Sequence, residues 1–176
     1  MQNNYKNKHK GGYLFWITGL SGSGKTSIAK NIKKEIENYY GPTVVISGDN
    51  IRKIFKLKGY ARKERAEIAI KYCKLSKFLT SQNINVIFAS VSLISKIRKW
   101  NKKNIKKYVE IYIKADLKKI IKKGKKKLYF KKLKNMIGFD IKPELPKNPD
   151  IIINNNLKKD VKVLSKELIK KINRII

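Results

Sequence analysis

The chain has 176 residues, 41% of them hydrophobic, which suits one domain with a buried core. It has no run of about 18 apolar residues, which excludes a transmembrane helix, and its single cysteine, Cys73, excludes an intrachain disulfide. The net charge of +32 comes from 39 lysines and only five arginines spread along the chain, and we attribute it to an AT-rich genome, since proteins that read base edges favour arginine.

Hydrophobic patterning predicts five strands that alternate with six helices. The polar, basic residues 1–11 lack an apolar segment of the signal-peptide type, and we expect them to be flexible. Beyond them, short apolar runs bounded by glycine, proline or polar clusters predict strands, and apolar residues at helical spacing predict helices. The predicted strands are 13–17, 43–46, 85–90, 109–113 and 150–153, and the predicted helices are 26–39, 51–55, 63–82, 95–103, 117–121 and 161–175.

This alternation predicts a three-layer α/β fold, with a mainly parallel five-stranded sheet and helices on both faces. In the long third helix, we expect Ile68, Tyr72, Leu75 and Leu79 to form the buried face. No repeat or linker interrupts the pattern, so we predict that residues 1–176 form a single domain.

A glycine-rich loop follows the first strand and matches the pattern of a triphosphate-binding loop. It reads Gly19-x-x-x-x-Gly24-Lys25-Thr26, between an apolar strand and a helix. Glycines let backbone N–H groups approach phosphate oxygens, a lysine reaches the β- and γ-phosphates, and a threonine hydroxyl can bind Mg²⁺. The predicted phosphate-binding residues are Gly19, Leu20, Ser21, Gly22, Ser23, Gly24, Lys25, Thr26 and Ser27, with Thr26 as the Mg²⁺ ligand.

A second polar cluster, Gly48-Asp49-Asn50, follows the second strand. Loops at the carboxyl ends of parallel strands line the ligand crevice of an α/β sheet. There the Asp49 carboxylate can accept a proton from an attacking hydroxyl or hold a water on Mg²⁺, and Arg52 can bind an anion. The alternative is an ordinary turn in which Asp49 caps the next helix.

With these motifs, the sequence resembles the adenylylsulfate kinase family, whose members transfer the γ-phosphate of ATP to the 3′-hydroxyl of adenylyl sulfate. The family's loop GLSGSGKS/T matches residues 19–26, and its DGDN-x-R motif reads SGDNIR at residues 47–52. Its acceptor helix begins Asp-Arg-x-x-Asn, of which this chain keeps Arg65 and replaces the Asn with Ile68.

The second half of the chain also resembles the family, so that the resemblance covers about residues 12–156. The family's lid reads Lys-Gly-Leu-Tyr-Lys-Lys-Ala, and residues 126–132 read KKLYFKK. Its Gly-Ile-Asp and Tyr-Glu-x-Pro-x-Asn-Pro-Asp strings correspond to GFD at residues 138–140 and PELPKNPD at residues 143–150. The resemblance implies a P-loop kinase fold with a mobile lid, ATP as co-substrate with Mg²⁺, a small nucleotide as acceptor and a homodimer.

The resemblance also implies residue roles. Lys25 and Asp49 are the predicted catalytic residues, with Asp49 orienting or deprotonating the acceptor hydroxyl while Arg52 and Arg65 clamp the acceptor phosphates. Ser92 corresponds either to a serine that some members phosphorylate or to a structural hydroxyl. The predicted acceptor-binding residues are Asp49, Asn50, Arg52, Arg65, Ser92, Lys126, Leu128 and Tyr129.

The departures from the family cluster on the acceptor side and leave the acceptor open. Ser47, Ile68 and Ser95 stand where the family has Asp, Asn and Arg, so hydrogen-bonding partners of adenylyl sulfate are lost. Residues 92–94 and 100–104 are similar to a divergent branch of the family, the cytidine diphosphoramidate kinases of capsule modification. Adenylyl sulfate is the family's default acceptor, and cytidine diphosphoramidate is the alternative.

Two functions of other classes are the alternatives to a kinase. A nucleotide-driven switch would need a base-reading Asn-Lys-x-Asp motif, which Asn148-Pro149-Asp150 does not supply. A nucleic-acid-binding P-loop ATPase would use the basic surface, and binding with a steep salt dependence would reveal it. We expect instead a cytoplasmic kinase that binds neither nucleic acid nor membrane.

Overall fold

A computed structural model describes residues 12–123 and 135–176, and within them the predicted α/β architecture is confirmed. Five parallel strands form one sheet in the order β2-β3-β1-β4-β5. The strands are β1 (Leu14–Thr18), β2 (Thr43–Ser47), β3 (Asn85–Ala89), β4 (Tyr108–Lys114) and β5 (Ile151–Asn154). The helices are α1 (Lys25–Tyr40), α2 (Gly48–Ile54), α3 (Arg62–Ser81), α4 (Ser95–Asn104), α5 (Leu117–Lys122) and α6 (Val161–Ile175).

Both faces of the central strand β1 are buried, as its continuous apolar sequence predicts. Successive side chains of a strand point to opposite faces. Phe15 and Ile17 therefore pack with α1 and α6 on one face, and Leu14 and Trp16 pack with α3 and α4 on the other. A parallel sheet covered on both sides leaves the carboxyl ends of its strands as the open edge where a ligand can bind.

A third apolar cluster lies under the loops at this edge. Leu20 of the β1–α1 loop and Leu93 after β3 pack there with Tyr112, Ile120, Ile137 and Leu157. Through this cluster, the β1–α1 loop and the segment after β3 are packed against the end of the sheet.

Helix α2 begins three residues earlier than predicted. Ser47, the last residue of β2, caps the helix, because its Oγ accepts a hydrogen bond from the Asn50 N–H at 3.2 Å. The cap is thus Ser47 and not Asp49, which lies in the first turn of the helix.

Helix α3 buries a different face from the predicted one. Ile68 and Tyr72 are buried as expected, but Leu75 and Leu79 are only partly buried. The buried face continues instead through Cys73, Ser76 and Thr80, which follow one another at spacings of three and four residues on the same side of the helix. The buried residues of α3 are Ile68, Ala69, Tyr72, Cys73, Ser76 and Thr80.

The predicted lid residues Lys126, Leu128 and Tyr129 and the N-terminal residues 1–11 lie outside the described residues. In the parts of the chain that the structure describes, no helix has the length and apolar character needed to cross a membrane.

Candidate active site

Loops from the carboxyl ends of four strands surround one cavity of about 340 Å³. The β1–α1 loop contributes the glycine-rich motif, α2 follows β2, residues 90–92 follow β3, and the β5–α6 connection closes the opposite side. The lining residues are Ser21, Gly22, Gly24, Lys25, Thr26, Ser27, Gly48, Asp49, Arg52, Arg65, Ala69, Tyr72, Ala89, Ser90, Val91, Ser92, Ile94, Ile137, Asn155, Leu157, Lys159 and Val161.

The path of the glycine-rich loop requires its glycines. Gly19, Gly22 and Gly24 have φ angles of 151°, 82° and 91°, a region that other residues rarely adopt. At Gly19 a Cβ atom would also lie 2.6 Å from the carbonyl oxygen of Ile113, a backbone atom of β4. The loop can therefore pass close to the sheet and turn into α1 with its N–H groups free of side-chain obstruction.

Lys25 is the first residue of α1 and is 7% exposed. Its Nζ donates a hydrogen bond of 2.6 Å to the Leu20 carbonyl oxygen, across the loop. Thr26 and Ser27 follow on the same turn, are exposed and line the cavity. No acidic residue occupies this first turn, so the positive end of the helix dipole and one ammonium group face the same space, which favours an anion.

The predicted phosphate-binding residues divide into two groups. Ser21, Gly22, Gly24, Lys25, Thr26 and Ser27 line the cavity. Gly19, Leu20 and Ser23 are not among its lining residues and form the support behind it: Leu20 packs in the third apolar cluster, and Ser23 is fully buried.

On the other side of the cavity, α2 carries Asp49 and Arg52, and α3 carries Arg65. Arg52 Nη1 donates to the carbonyl oxygens of Leu57 and Gly59, at 3.2 and 2.9 Å. These bonds fix one guanidinium at the edge of the site.

Arg65 is held in a similar way. Its Nε donates to the Tyr60 carbonyl oxygen at 2.7 Å, and its Nη2 donates to that of Asn135 at 2.8 Å. Burial lowers the pKa of Arg65 below its usual value, and the neighbouring charge of Arg52 lowers it further. Two cations held this close together form a site for an anion.

Tyr60 contacts both of these arginines, although the sequence motifs do not point to it. The guanidinium carbons of Arg52 and Arg65 are 4.7 and 5.1 Å from the centre of its ring, within the range of cation–π attraction. The only signal in the sequence is an aromatic residue after Gly59 and before the α3 arginines.

After β3, Ser90 Oγ and Ser92 Oγ are hydrogen-bonded at 2.7 Å. Thr18 Oγ1, at the end of β1, donates to the Val91 carbonyl oxygen between them at 2.8 Å. Ser92 lines the cavity but is 7% exposed.

Asn50 of α2, a predicted acceptor-binding residue, is exposed and is not among the residues that line the cavity.

Asn155, directly after β5, was also missed. It is 7% exposed, and its Nδ2 donates to the Ser23 carbonyl oxygen of the glycine-rich loop at 3.0 Å. Its place at the carboxyl end of a predicted strand was the available signal, since all such ends meet at one edge of a parallel sheet.

The cavity thus has an anion-binding surface at each side. A helix N-terminus with Lys25 lies at one side, the Arg52–Arg65 pair lies at the other, and the carboxylate of Asp49 joins the arginine side. Such an arrangement can hold two phosphate-bearing molecules and bring one reactive group of each together.

The chain is similar in sequence to known kinases. The family described as adenylylsulphate kinase matches residues 11–154 of the chain. The cytidine diphosphoramidate kinase of Campylobacter jejuni is 36% identical over 164 residues, which cover 89% of this chain and 96% of that protein. The adenylyl-sulfate kinase of Bacillus velezensis is 34% identical over 158 residues, 85% of this chain and 79% of that protein.

Solved structures show the same fold. The APS kinase of Mycobacterium tuberculosis, in complex with AMPPNP and APS, is similar with a TM-score of 0.83 and 23% identity, covering 94% of this chain and 99% of that chain. A gluconokinase from Sinorhizobium meliloti is similar with a TM-score of 0.62 and 12% identity, covering 96% and 95% of the two chains. At these identities the likeness concerns the fold alone.

Proposed function

The chain belongs to the adenylylsulfate kinase family, and from that premise we propose that it transfers the γ-phosphoryl group of ATP to the 3′-hydroxyl of cytidine diphosphoramidate. That it is an ATP-using nucleotide kinase follows from the family and from relatives that are kinases. The acceptor, the metal ion and the residue roles below are the proposal.

The acceptor is the part of the proposal that depends on departures from the family pattern. Ile68, at the position matching the family's acceptor-contacting Asn, is 6% exposed and packs in the apolar cluster of α3. Ser95, at the position of an Arg, begins α4, and its N–H donates to Glu144 Oε2 at 2.6 Å. A site without these two polar side chains is poorly suited to adenylyl sulfate, since missing hydrogen bonds to a polar substrate cost about 10⁴-fold or more in discrimination.

The observation that carries the proposal is the relative from Campylobacter jejuni, whose name states cytidine diphosphoramidate kinase. It shares 36% of its residues with this chain over nearly its whole length. Adenylyl sulfate is the second candidate, because the family match and the relative from Bacillus velezensis favour it. We propose a role in capsule modification only for the case in which cytidine diphosphoramidate is the acceptor.

For the donor, we assign the ATP phosphates to the glycine-rich loop and Lys25. The loop N–H groups and the α1 N-terminus bind the β- and γ-phosphates, and the Lys25 ammonium stabilises the charge that develops on the transferred group. Because Lys25 Nζ already lies across the loop, bonded to Leu20, it needs little reorganisation to contact a phosphate.

For Mg²⁺, the chain's own candidate ligand is Thr26, whose exposed side chain lines the cavity. The described residues contain no group of three or more His, Cys, Asp and Glu that could hold a metal. A hydroxyl ligand beside the phosphate site suits Mg²⁺, which keeps several waters and takes its other ligands from substrate phosphates. When bound, the ion would neutralise charge on the β- and γ-phosphates.

For the acceptor, Arg52 and Arg65 bind its phosphate groups, and Asp49 orients the 3′-hydroxyl and accepts its proton. Asp49 is suited to this because it is exposed to the cavity from the first turn of α2. The hydroxyl oxygen then forms a bond to the γ-phosphorus while the bond from that phosphorus to the β–γ bridging oxygen breaks, and ADP leaves with that oxygen.

The experiment is to incubate the purified protein with ATP, Mg²⁺ and cytidine diphosphoramidate and to locate the new phosphate by ³¹P NMR. We expect a phosphomonoester on the ribose 3′-oxygen and one ADP per product. Formation of ADP without a phosphorylated nucleotide would refute the proposal and indicate an ATPase.

A further inference from the structure

We propose that Asn155 is a positioning residue for the donor nucleotide, because its side-chain amide joins the glycine-rich loop to the β5–α6 connection across the floor of the cavity. The inference rests on the donor half of the proposed function and is independent of the acceptor.

Both ends of the Asn155 amide are engaged. Nδ2 donates to the Ser23 carbonyl oxygen at 3.0 Å, and Oδ1 accepts from the Leu157 N–H at 2.8 Å; both bonds are buried. The backbone N–H of Asn155 donates to the Lys114 carbonyl oxygen at 2.8 Å, which anchors the residue to the end of β4. The amide supplies both the donor and the acceptor that these two bonds need, whereas an ionised carboxylate would have no proton to donate to the Ser23 carbonyl oxygen.

The connection that Asn155 holds has an uncommon backbone conformation. Leu157 has a φ angle of 64°, which is unfavourable for a residue with a branched side chain, and two contacts hold it there. Its N–H is bound by Asn155, and its carbonyl oxygen accepts a hydrogen bond from Lys123 Nζ. Leu157 lines the cavity on the side away from Arg52 and Arg65.

The amide also contacts the turn of the glycine-rich loop directly. A Cβ atom at Gly24 would lie 3.3 Å from Asn155 Nδ2, so the side chain packs closely against the residue that precedes α1. Any shift of the β5–α6 connection is therefore transmitted to the phosphate-binding turn. A nucleotide that contacts both segments needs them at a fixed separation, and fixing it before binding reduces the entropy lost on binding.

The neighbouring asparagine provides a matched control. Asn156 is exposed, and its Oδ1 accepts a hydrogen bond from the Lys158 N–H at 2.9 Å, which an aspartate can also accept. Asn155→Asp and Asn156→Asp therefore make the same chemical change at adjacent positions, but only the first removes the donor to Ser23. Asn155→Ala removes both bonds and adds no charge near the phosphates.

The test measures the dissociation constant of ADP with Mg²⁺ by isothermal titration calorimetry, and then the KM values of the two substrates. We expect Asn155→Asp and Asn155→Ala to weaken ADP binding and raise the KM for ATP by about tenfold, the usual effect of losing a buried hydrogen bond. In the Asn155 variants, the KM for the acceptor should stay within about twofold of the parent value. The control Asn156→Asp should bind ADP with an affinity within about twofold of that of the parent protein.

Unchanged ADP affinity in either folded Asn155 variant would overturn the proposal, and so would an equal rise in the KM of the acceptor. If neither variant unfolded cooperatively, Asn155 would be a determinant of the fold, which also contradicts a role in positioning. A parent protein that binds ADP but phosphorylates neither candidate acceptor would refute the acceptor assignment and leave this inference standing.

Discussion

At the scale of single residues, Lys25 differs from the other lysines of the described segments because it alone is buried. Burial of an ammonium group is costly unless it is hydrogen-bonded, and the Leu20 carbonyl oxygen provides that bond. The sequence alone singled out this lysine, because the spacing of the glycines around it is specific to one kind of loop.

Replacing Lys25 with methionine should lower kcat by at least about 100-fold, because the variant lacks the charge that stabilises the transferred phosphoryl group. Lys30→Met, an exposed position on the same helix, is the control and should leave kcat within about twofold. Steady-state kinetics at saturating ATP give the comparison, and comparable losses in the two variants would contradict the role of Lys25.

Asp49→Asn should retain ADP binding and lose turnover by at least about 100-fold, because an amide cannot accept the proton of the acceptor hydroxyl. Asp116→Asn is a suitable control: Asp116 is exposed and caps α5, and asparagine is an equally good cap. Calorimetry with ADP and a coupled assay separate binding from chemistry. Normal turnover in Asp49→Asn would show that Asp49 is not the base.

Other residues of the site could not be found from the sequence. Tyr60 matters through its contact with both Arg52 and Arg65, and that contact depends on how the α2–α3 connection folds. Asn155 is one of three consecutive asparagines, and only the structure shows that its side chain is the buried one. Residue type and spacing identify a motif, but they do not show which single polar side chain turns inward.

At the scale of secondary-structure elements, α2 determines the geometry of the acceptor side because it carries Asp49 and Arg52. Its start is set by the Ser47 cap, and its base is held by Tyr72 of α3, whose hydroxyl donates to the Gly48 carbonyl oxygen at 3.2 Å. A helix of seven residues has little stability of its own, so these contacts decide where the two charged side chains lie.

We therefore predict that Ser47→Ala lowers the free energy of unfolding by about 1 kcal/mol, the usual cost of losing a helix cap, and raises the KM of the acceptor. Ser47→Asp, which restores the family's residue and is also a good cap, should do neither. Urea unfolding and steady-state kinetics measure the two effects. A Ser47→Asp variant as unstable as Ser47→Ala would show that capping is not the role of Ser47.

The strands and helices of the described residues were all predicted to within three residues at each end. Short apolar runs and apolar residues at helical spacing are clearly distinct in this sequence, and glycine or proline marks the boundaries of β1, α1 and β2. The errors had physical causes. A serine at a strand end extended α2 backwards, and in α3 the face that meets the sheet includes the small residues Ser76 and Thr80 rather than Leu75 and Leu79. Neither is visible before the elements are packed together.

At the scale of the whole molecule, the sheet order places all four site-forming loops at one edge, on both sides of the central strand. This explains why motifs far apart in the sequence, at residues 19–26, 47–52 and 155, act on one cavity. Homodimerisation, implied by the family resemblance, stays a prediction.

The acceptor is best identified by measuring kcat/KM with cytidine diphosphoramidate and with adenylyl sulfate, side by side, under the same coupled assay. We predict that cytidine diphosphoramidate is preferred by at least about 100-fold, since the positions of Ile68 and Ser95 no longer offer the polar groups that a site for adenylyl sulfate uses. A preference for adenylyl sulfate would contradict it.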